Sequence, residues 1–282
     1  MSSEKSFFQR YFLILLIVVM AVTYLAQLRY DVWMYFGSPK IKVSYNEYIE
    51  PQPLSPAMAK ASSFGSNEFM ADYYWLQFIQ YYGGGDPYGK YRKLAEIFNT
   101  ITDLSPKFSQ AYQTGLLILP AEGFVDQAIA LGEKGQRNLP NDWEMPYYTG
   151  LVYHIYKKDY TKAAEEFAQA AALPDAPPIT KLFVGIYYNK ANDRDTAYTI
   201  FQVIYETSQD SYVKERASKY VGHLERVFQL EDAVKTFHDR YGRYPDNLDE
   251  LVTKKIIDKL PVSPLSISYT LDSATGVIGE GK

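Results

Sequence analysis

Hydrophobic residues are spaced along this chain in three different ways, and each spacing predicts a different element. The first is an unbroken run. Between Arg10 and Arg29 no charged residue interrupts Tyr11 to Leu28, and 11 of these 18 positions are Phe, Leu, Ile or Val. At about 1.5 Å rise per residue such a helix covers roughly 27 Å, close to the hydrocarbon thickness of a bilayer. The run is longer than the apolar core of a cleaved export signal, and Tyr24 stands where cleavage wants a small side chain. It predicts a transmembrane helix over 11–28, with Tyr11, Tyr24, Tyr30 and Trp33 as interfacial aromatics. Lys5 and Arg10 precede the run and Arg29 alone follows closely, which puts the N-terminus in the cytoplasm and the body outside.

The second spacing is a 4-then-3 rhythm. It reads Leu94-Phe98-Ile101, Ala128-Gly132-Gly135, Ala163-Phe167-Ala170 and Ala197-Phe201-Ile204, which places each triplet on one helical face. Leu104-Ser105-Pro106, Leu139-Pro140 and Leu173-Pro174 follow three of these helices, and their prolines lie 34 residues apart. A fixed period of this size is the mark of stacked repeats. Preceding helices carry Gly150 with Tyr153 and Gly185 with Tyr188, a small residue followed by an aromatic three later. These features resemble the tetratricopeptide repeat family, most clearly from Val152 to Phe167 and over roughly 67–207. The resemblance implies an α-solenoid of helical hairpins whose groove holds other proteins. Gly132 and Gly135 stand where that family has bulky residues, which predicts a tightly packed or distorted hairpin.

The third spacing is a long apolar stripe, Leu224, Val227, Leu230, Ala233, Val234 and Phe237, at helical period. Gly242 is placed to close that helix, and Asn247 to cap a short one with Glu250 as capping-box partner. Ser268 to Asp272 and Gly276 to Ile278 alternate as a small hairpin. The order of long helix, Tyr241-Gly242-Arg243-Tyr244-Pro245, Leu248-Asp249-Glu250-Leu251, Leu260-Pro261 and Tyr269 resembles the periplasmic part of type II secretion major pseudopilins. The acidic calcium loop of that family is missing, and the module follows a repeat body instead of its own hydrophobic helix. It is read as a borrowed packing unit that caps the last repeat.

The fold class is thus mostly α: an N-terminal transmembrane helix, a tetratricopeptide-type solenoid and a small α+β C-terminal module. The predicted organisation is a tail (1–10), the span (11–28), a linker (29–55) with a short strand at 41–45, repeats (56–210) and the module (211–282). A short helix near 56–64 is expected to pair with the helix from Asn67 to Tyr82. Tyr30-Asp31 and the stretch from Ala71 to Gly83 also resemble a group of bacterial membrane-anchored repeat proteins.

Composition narrows the chemistry. With 47% hydrophobic residues the chain can bury a core. Its net charge of −4 comes without any basic stripe, which argues against nucleic acid as partner. The chain has no cysteine, so disulfides, thiolate metal sites and a cysteine nucleophile are excluded. The loop from Gly84 to Tyr91 has phosphate-loop spacing but carries Tyr91 where magnesium needs a hydroxyl-bearing Ser or Thr, and it follows a helix. His154, His223 and His238 show no ligand spacing, and Glu165-Glu166 and Asp249-Glu250 read as solvated faces. No catalytic residue, cofactor, metal or small-molecule substrate is expected.

What remains is binding. Tyr73, Tyr74, Trp75, Phe78, Tyr81 and Tyr82 crowd one helix, either as core or as a groove gripping a peptide. Ala163, Phe167, Ala170, Ala197 and Phe201, with Gly150, Tyr153, Gly185 and Tyr188, are the expected packing positions of the repeats. The reading is a single-pass scaffold or adaptor of the bacterial inner membrane with its body outside the cytoplasm. An alternative is an assembly component of a type IV pilus or type II secretion-like system. In both the partner is a protein; in the first reading the repeat groove holds it, and the second is suggested by the pseudopilin-like tail.

Overall fold

The computed structural model describes the backbone of residues 2–32, 51–84 and 91–281, and in the first stretch the side chains of 11, 12 and 15–29. The chain divides into two units, the first holding helix α1 and the second holding α2 and every later described element.

In the first unit, α1 runs from Ser2 to Val32 as one helix of 31 residues. Thr23 turns its hydroxyl back onto Val19 O (2.7 Å), which satisfies it within the helix. The expected transmembrane helix is corrected here: among the described residues no helix is long and apolar enough to cross a membrane. The single-pass inner-membrane location, and the placement of the body outside the cytoplasm, fall with the span. Residues 29–32 of the expected linker belong to α1. The predicted strand at 41–45 and the aromatics Tyr30 and Trp33 lie outside the residues or side chains described.

The second unit is a stack of helix pairs. After α2 (Pro56–Ser62) come α3 (Asn67–Gly83) with α4 (Leu94–Leu104), and α5 (Ser109–Ala121) with α6 (Val125–Asn138). Next are α7 (Glu144–Val152) with α8 (Tyr160–Ala172), and α9 (Thr180–Lys190) with α10 (Arg194–Thr207). Each pair packs on the next, giving a helical-repeat stack. The 4-then-3 positions Leu94, Phe98 and Ile101, Ala163, Phe167 and Ala170, and Ala197, Phe201 and Ile204 are all buried. α2 packs mainly on α4, and Ser63 just after it donates to Asn67 at the start of α3, the expected partner (2.5 Å). The segment before it is pinned from two sides: Leu54 N–H donates to Tyr74 Oη (3.2 Å) and Leu54 O accepts from Thr100 Oγ1 (3.2 Å).

The turn inside each of the last three pairs repeats the same backbone device. Gly123, Lys158 and Asn192 adopt left-handed φ of 91°, 57° and 65°, and the next residue is the N-cap of the second helix. Asp159 and Asp193 cap with their side chains, accepting from the N–H of Lys162 (3.0 Å) and Thr196 (3.2 Å). Phe124 N–H reaches back five residues to Leu119 O and Asp193 N–H reaches five to Tyr188 O, but Asp159 N–H reaches six, to Tyr153 O (3.2 Å). The extra residue is taken up by a π-helical turn, Tyr153–Lys157, that continues α7.

α11 (Ser211–Tyr241) spans the junction to the C-terminal module. Its first part packs Val213, Ala217 and Leu224 against Leu182, Phe201 and Ile204 of the last repeat. Its second part packs Val227, Leu230, Val234 and Phe237 against Leu251 and Ile278. Gly242 closes it at φ 71°, its N–H on His238 O (2.8 Å). α12 (Leu248–Thr253) is capped by Asn247, but the Glu250 carboxylate accepts from Asp246 N–H and Arg243 instead of completing the expected box on Asn247. Strands β1 (Tyr269–Leu271) and β2 (Ile278–Glu280) form an antiparallel pair with Tyr269 opposite Glu280 and Leu271 opposite Ile278.

Candidate functional site

The six aromatics of α3 do not share one surface. Ala71, Tyr74, Phe78 and Tyr81 form the buried side of the helix. Phe78 meets Phe98 of α4 at 4.7 Å between ring centroids, and Trp75 meets Phe108 at 5.2 Å. Tyr82 stacks on Phe78, meets Tyr91 at a tilt, and donates its hydroxyl to Glu122 Oε1 (3.3 Å). Burial and Glu122 both push its hydroxyl pKa up. Tyr81 Oη accepts from Lys93 N–H (3.3 Å). Five of the six rings therefore anchor α3 to its neighbours, and Tyr73 alone is largely exposed.

Tyr73 belongs to another set. Phe69 (73% exposed), Tyr73 (48%), Leu76 (58%) and Ile79 (48%) lie on the opposite side of α3, spaced by three or four residues. Just before the helix, Phe64 is 95% exposed on a turn where Phe64 and Gly65 both take left-handed φ. These exposed apolar side chains leave one face of α3 uncovered by the described residues. Phe69, Leu76 and Ile79 escaped the sequence reading, although α3 is apolar nearly all round. A helix of that type has to be covered on every side or used.

The repeat-packing residues sit at the helix crossings. A Cβ on Gly150 would lie 3.2 Å from the Phe167 ring and 3.3 Å from Ala163 O, and one on Gly185 only 2.6 Å from Phe201. Gly132 and Gly135 admit the next hairpin: a Cβ on Gly132 would collide with Thr149, and one on Gly135 would lie 2.7 Å from Met145 Sδ. Tyr153 and Tyr188 are half-buried, with Lys162 over the Tyr153 ring at 5.6 Å. The aromatic that joins hairpins is Tyr187, which stacks on Phe167 (4.8 Å, 11°) beside Phe183 and Tyr147. Burial pushes its hydroxyl up to about 12.

The histidines have packing roles. His154 lies against Tyr187 and Tyr160, and burial with Lys190 and Lys158 lowers its pKa. His223 is fully buried, with Nδ1 2.8 Å from Ser263 Oγ and Nε2 3.0 Å from Glu280 Oε1. Asn189 of α9 donates to the same carboxylate (2.8 Å), and Arg194 of α10 bonds both Glu231 and Ile278 O. The hydrogen bond from His223 is the main reason that the Glu280 carboxyl lies below its ordinary range. Among the described residues no three His, Asp or Glu side chains are placed to hold a metal ion. Of the loop with phosphate-loop spacing only its ends are described: Gly84 caps α3 and Tyr91 packs on Tyr82.

No protein-family model matches this chain, and neither does any curated protein. Among solved structures, that of MamA 41-end from Desulfovibrio magneticus RS-1 is similar over 57% of this chain and all of that one, with 20% identity and a TM-score of 0.34. At that TM-score the likeness carries no weight for fold or function, and the helical-repeat description rests on the packing given above.

Proposed function

We propose that this chain is a protein-interaction scaffold, with a partner seated on the exposed side of α3 at the start of the repeat stack. The observation that carries this is the apolar stripe Phe69, Tyr73, Leu76 and Ile79, presented by a helix that the opposite ring cluster holds rigid. Rigid aromatic and aliphatic anchors bind partners at low cost in conformational entropy. The reading replaces a groove gripped by all six aromatics with one in which only Tyr73 of that set takes part. A link to a pilus or secretion system rests on the resemblance of residues 211–282 alone, and the identity of the partner tests it.

Phe69→Glu and Leu76→Glu change exposed positions and are expected to leave melting within about 0.5 kcal/mol of wild type. A protein that co-purifies with the wild-type chain should be lost from both variants and kept by Lys162→Glu, an exposed position on α8. Equal retention by all of these would remove α3 as the binding surface. A pilus or secretion component as the retained protein would support the second function.

A further inference from the structure

The hydrogen-bond parity of the C-terminal hairpin leaves one of its edges open. Gly281 N–H donates to Ser268 O (2.7 Å) and Asp272 N–H donates to Val277 O (3.0 Å). In an antiparallel pair the bonded positions alternate. Given the register, Ser268, Thr270 and Asp272 turn their backbone groups toward β2, and Tyr269 and Leu271 turn theirs the other way. The sheet has two strands, and no other described backbone hydrogen bond reaches Tyr269 or Leu271. Natural edges are blunted by charge, proline or a bulge. β1 reads Tyr-Thr-Leu and has none of these.

A cleft of about 490 Å³ adjoins the same strand. Leu230 of α11, Leu248 of α12, Leu260, Val262 and Tyr269 line it, with Ser266 on its polar side. Val262 is 81% exposed and Ser266 and Ser268 are exposed, so the cleft opens to solvent beside the edge.

The geometry points to the outer edge of β1 as a docking site for an extended peptide segment of a partner protein. The peptide adds a third strand by pairing with the N–H and C=O groups of Tyr269 and Leu271, and sets one aliphatic side chain into the cleft. Only another extended backbone matches donors and acceptors presented at alternate residues. The apolar lining beside them selects a side chain at one parity of that backbone. This site is separate from α3 and does not depend on the repeat surface.

The probe is a blocked seven-residue peptide of alternating valine and threonine with a central leucine, labelled and titrated against the full chain by fluorescence anisotropy. Saturable binding is expected, with slowed hydrogen exchange at the amides of Tyr269 and Leu271. Two N-methylated versions, blocked at odd or at even amides, should differ about tenfold or more in affinity, because only one parity faces the edge. Leu271→Pro removes an outward N–H that the hairpin ladder does not use, and should abolish binding. If that variant fails to fold, the N-methyl pair still decides, since it leaves the protein untouched. Equal binding of both N-methyl peptides would show an apolar cleft without strand addition and overturn the proposal. So would protection of Tyr269 and Leu271 in the absence of peptide, which would mean that a second copy already covers the edge.

Discussion

Glu166 shows how much one side chain depends on the hairpin beside it. It stands on α8, accepts a hydrogen bond from Gln136 of α6 (2.7 Å), and is raised to about 7, chiefly by burial. Glu133 and Glu165 raise it further, while Gln136 and Lys162 work against the shift. The unfolded chain titrates this carboxyl near 4.3, so between there and 7 the folded state binds more protons. Stability therefore rises as pH falls through that window, and above it the full cost of a buried charge remains. Glu166→Gln keeps an acceptor for Gln136 and removes the charge. It is expected to stabilise the chain by roughly 1–2 kcal/mol more at pH 8 than at pH 5, measured by urea unfolding. An equal effect at both values would mean that the carboxyl is not held in its neutral form. The sequence presents Glu165-Glu166 as one solvated pair, yet Glu165 is exposed and Glu166 turns toward α6. Adjacent helical residues point in different directions, and only the stacking of hairpins decides which of them meets a neighbour.

Between elements, glycine controls how closely paired helices approach, and the two crossings predict different costs. At Gly185 a methyl group would lie 2.6 Å from the edge of the buried Phe201 ring, which is itself stacked on Tyr220 (4.5 Å, 6°) and cannot swing away. At Gly150 the nearest atoms are 3.2–3.3 Å away, a contact relieved by a few tenths of an ångström. Alanine also favours the helix over glycine by about 1 kcal/mol. Gly185→Ala is therefore expected to cost about 1–3 kcal/mol by overpacking, and Gly150→Ala to stay within about 1 kcal/mol of wild type. Thermal melting checks both, and a reversed order would mean that the crossings are assigned to the wrong glycines. The 34-residue period and the 4-then-3 triplets made these helix pairs legible before any coordinates. The turns were legible only in part. Gly123 and Asn192 are natural in the left-handed region, but Lys158 is not, and the π-helical turn beside it has no mark in the residue pattern. Tyr187 was passed over for Tyr188 because the repeat pattern describes one hairpin, whereas Tyr187 packs across two.

Across the second unit, α11 belongs to two cores at once, and this sets how the molecule unfolds. Its first turns close the last repeat through Val213, Ala217 and Leu224, and its last turns carry the apolar side that holds α12 and the hairpin. The long stripe in the sequence announced that helix. The polar ties were not legible, because Asn189 lies 91 positions from Glu280, and Arg194 lies 84 from Ile278. Those contacts join α9 and α10 to β2, while His223 joins α11 to the loop and to β2. A solenoid can unravel repeat by repeat when its interfaces are local. Here the rigid shared helix and the long-range contacts couple its C-terminal end to the hairpin, so the two should melt together. Phe201→Ala opens a cavity in the repeat core and Phe237→Ala one in the module core, both at side chains with no solvent exposure. Each is expected to cost about 3–5 kcal/mol. Both should lower the same transition in calorimetry, by roughly 2–4 °C per kcal/mol for a body of this size. If Phe237→Ala shifts a separate, earlier transition and leaves the repeat melting where it was, α11 is a linker between independent domains, and the contacts of Asn189, Arg194 and His223 contribute little to the junction.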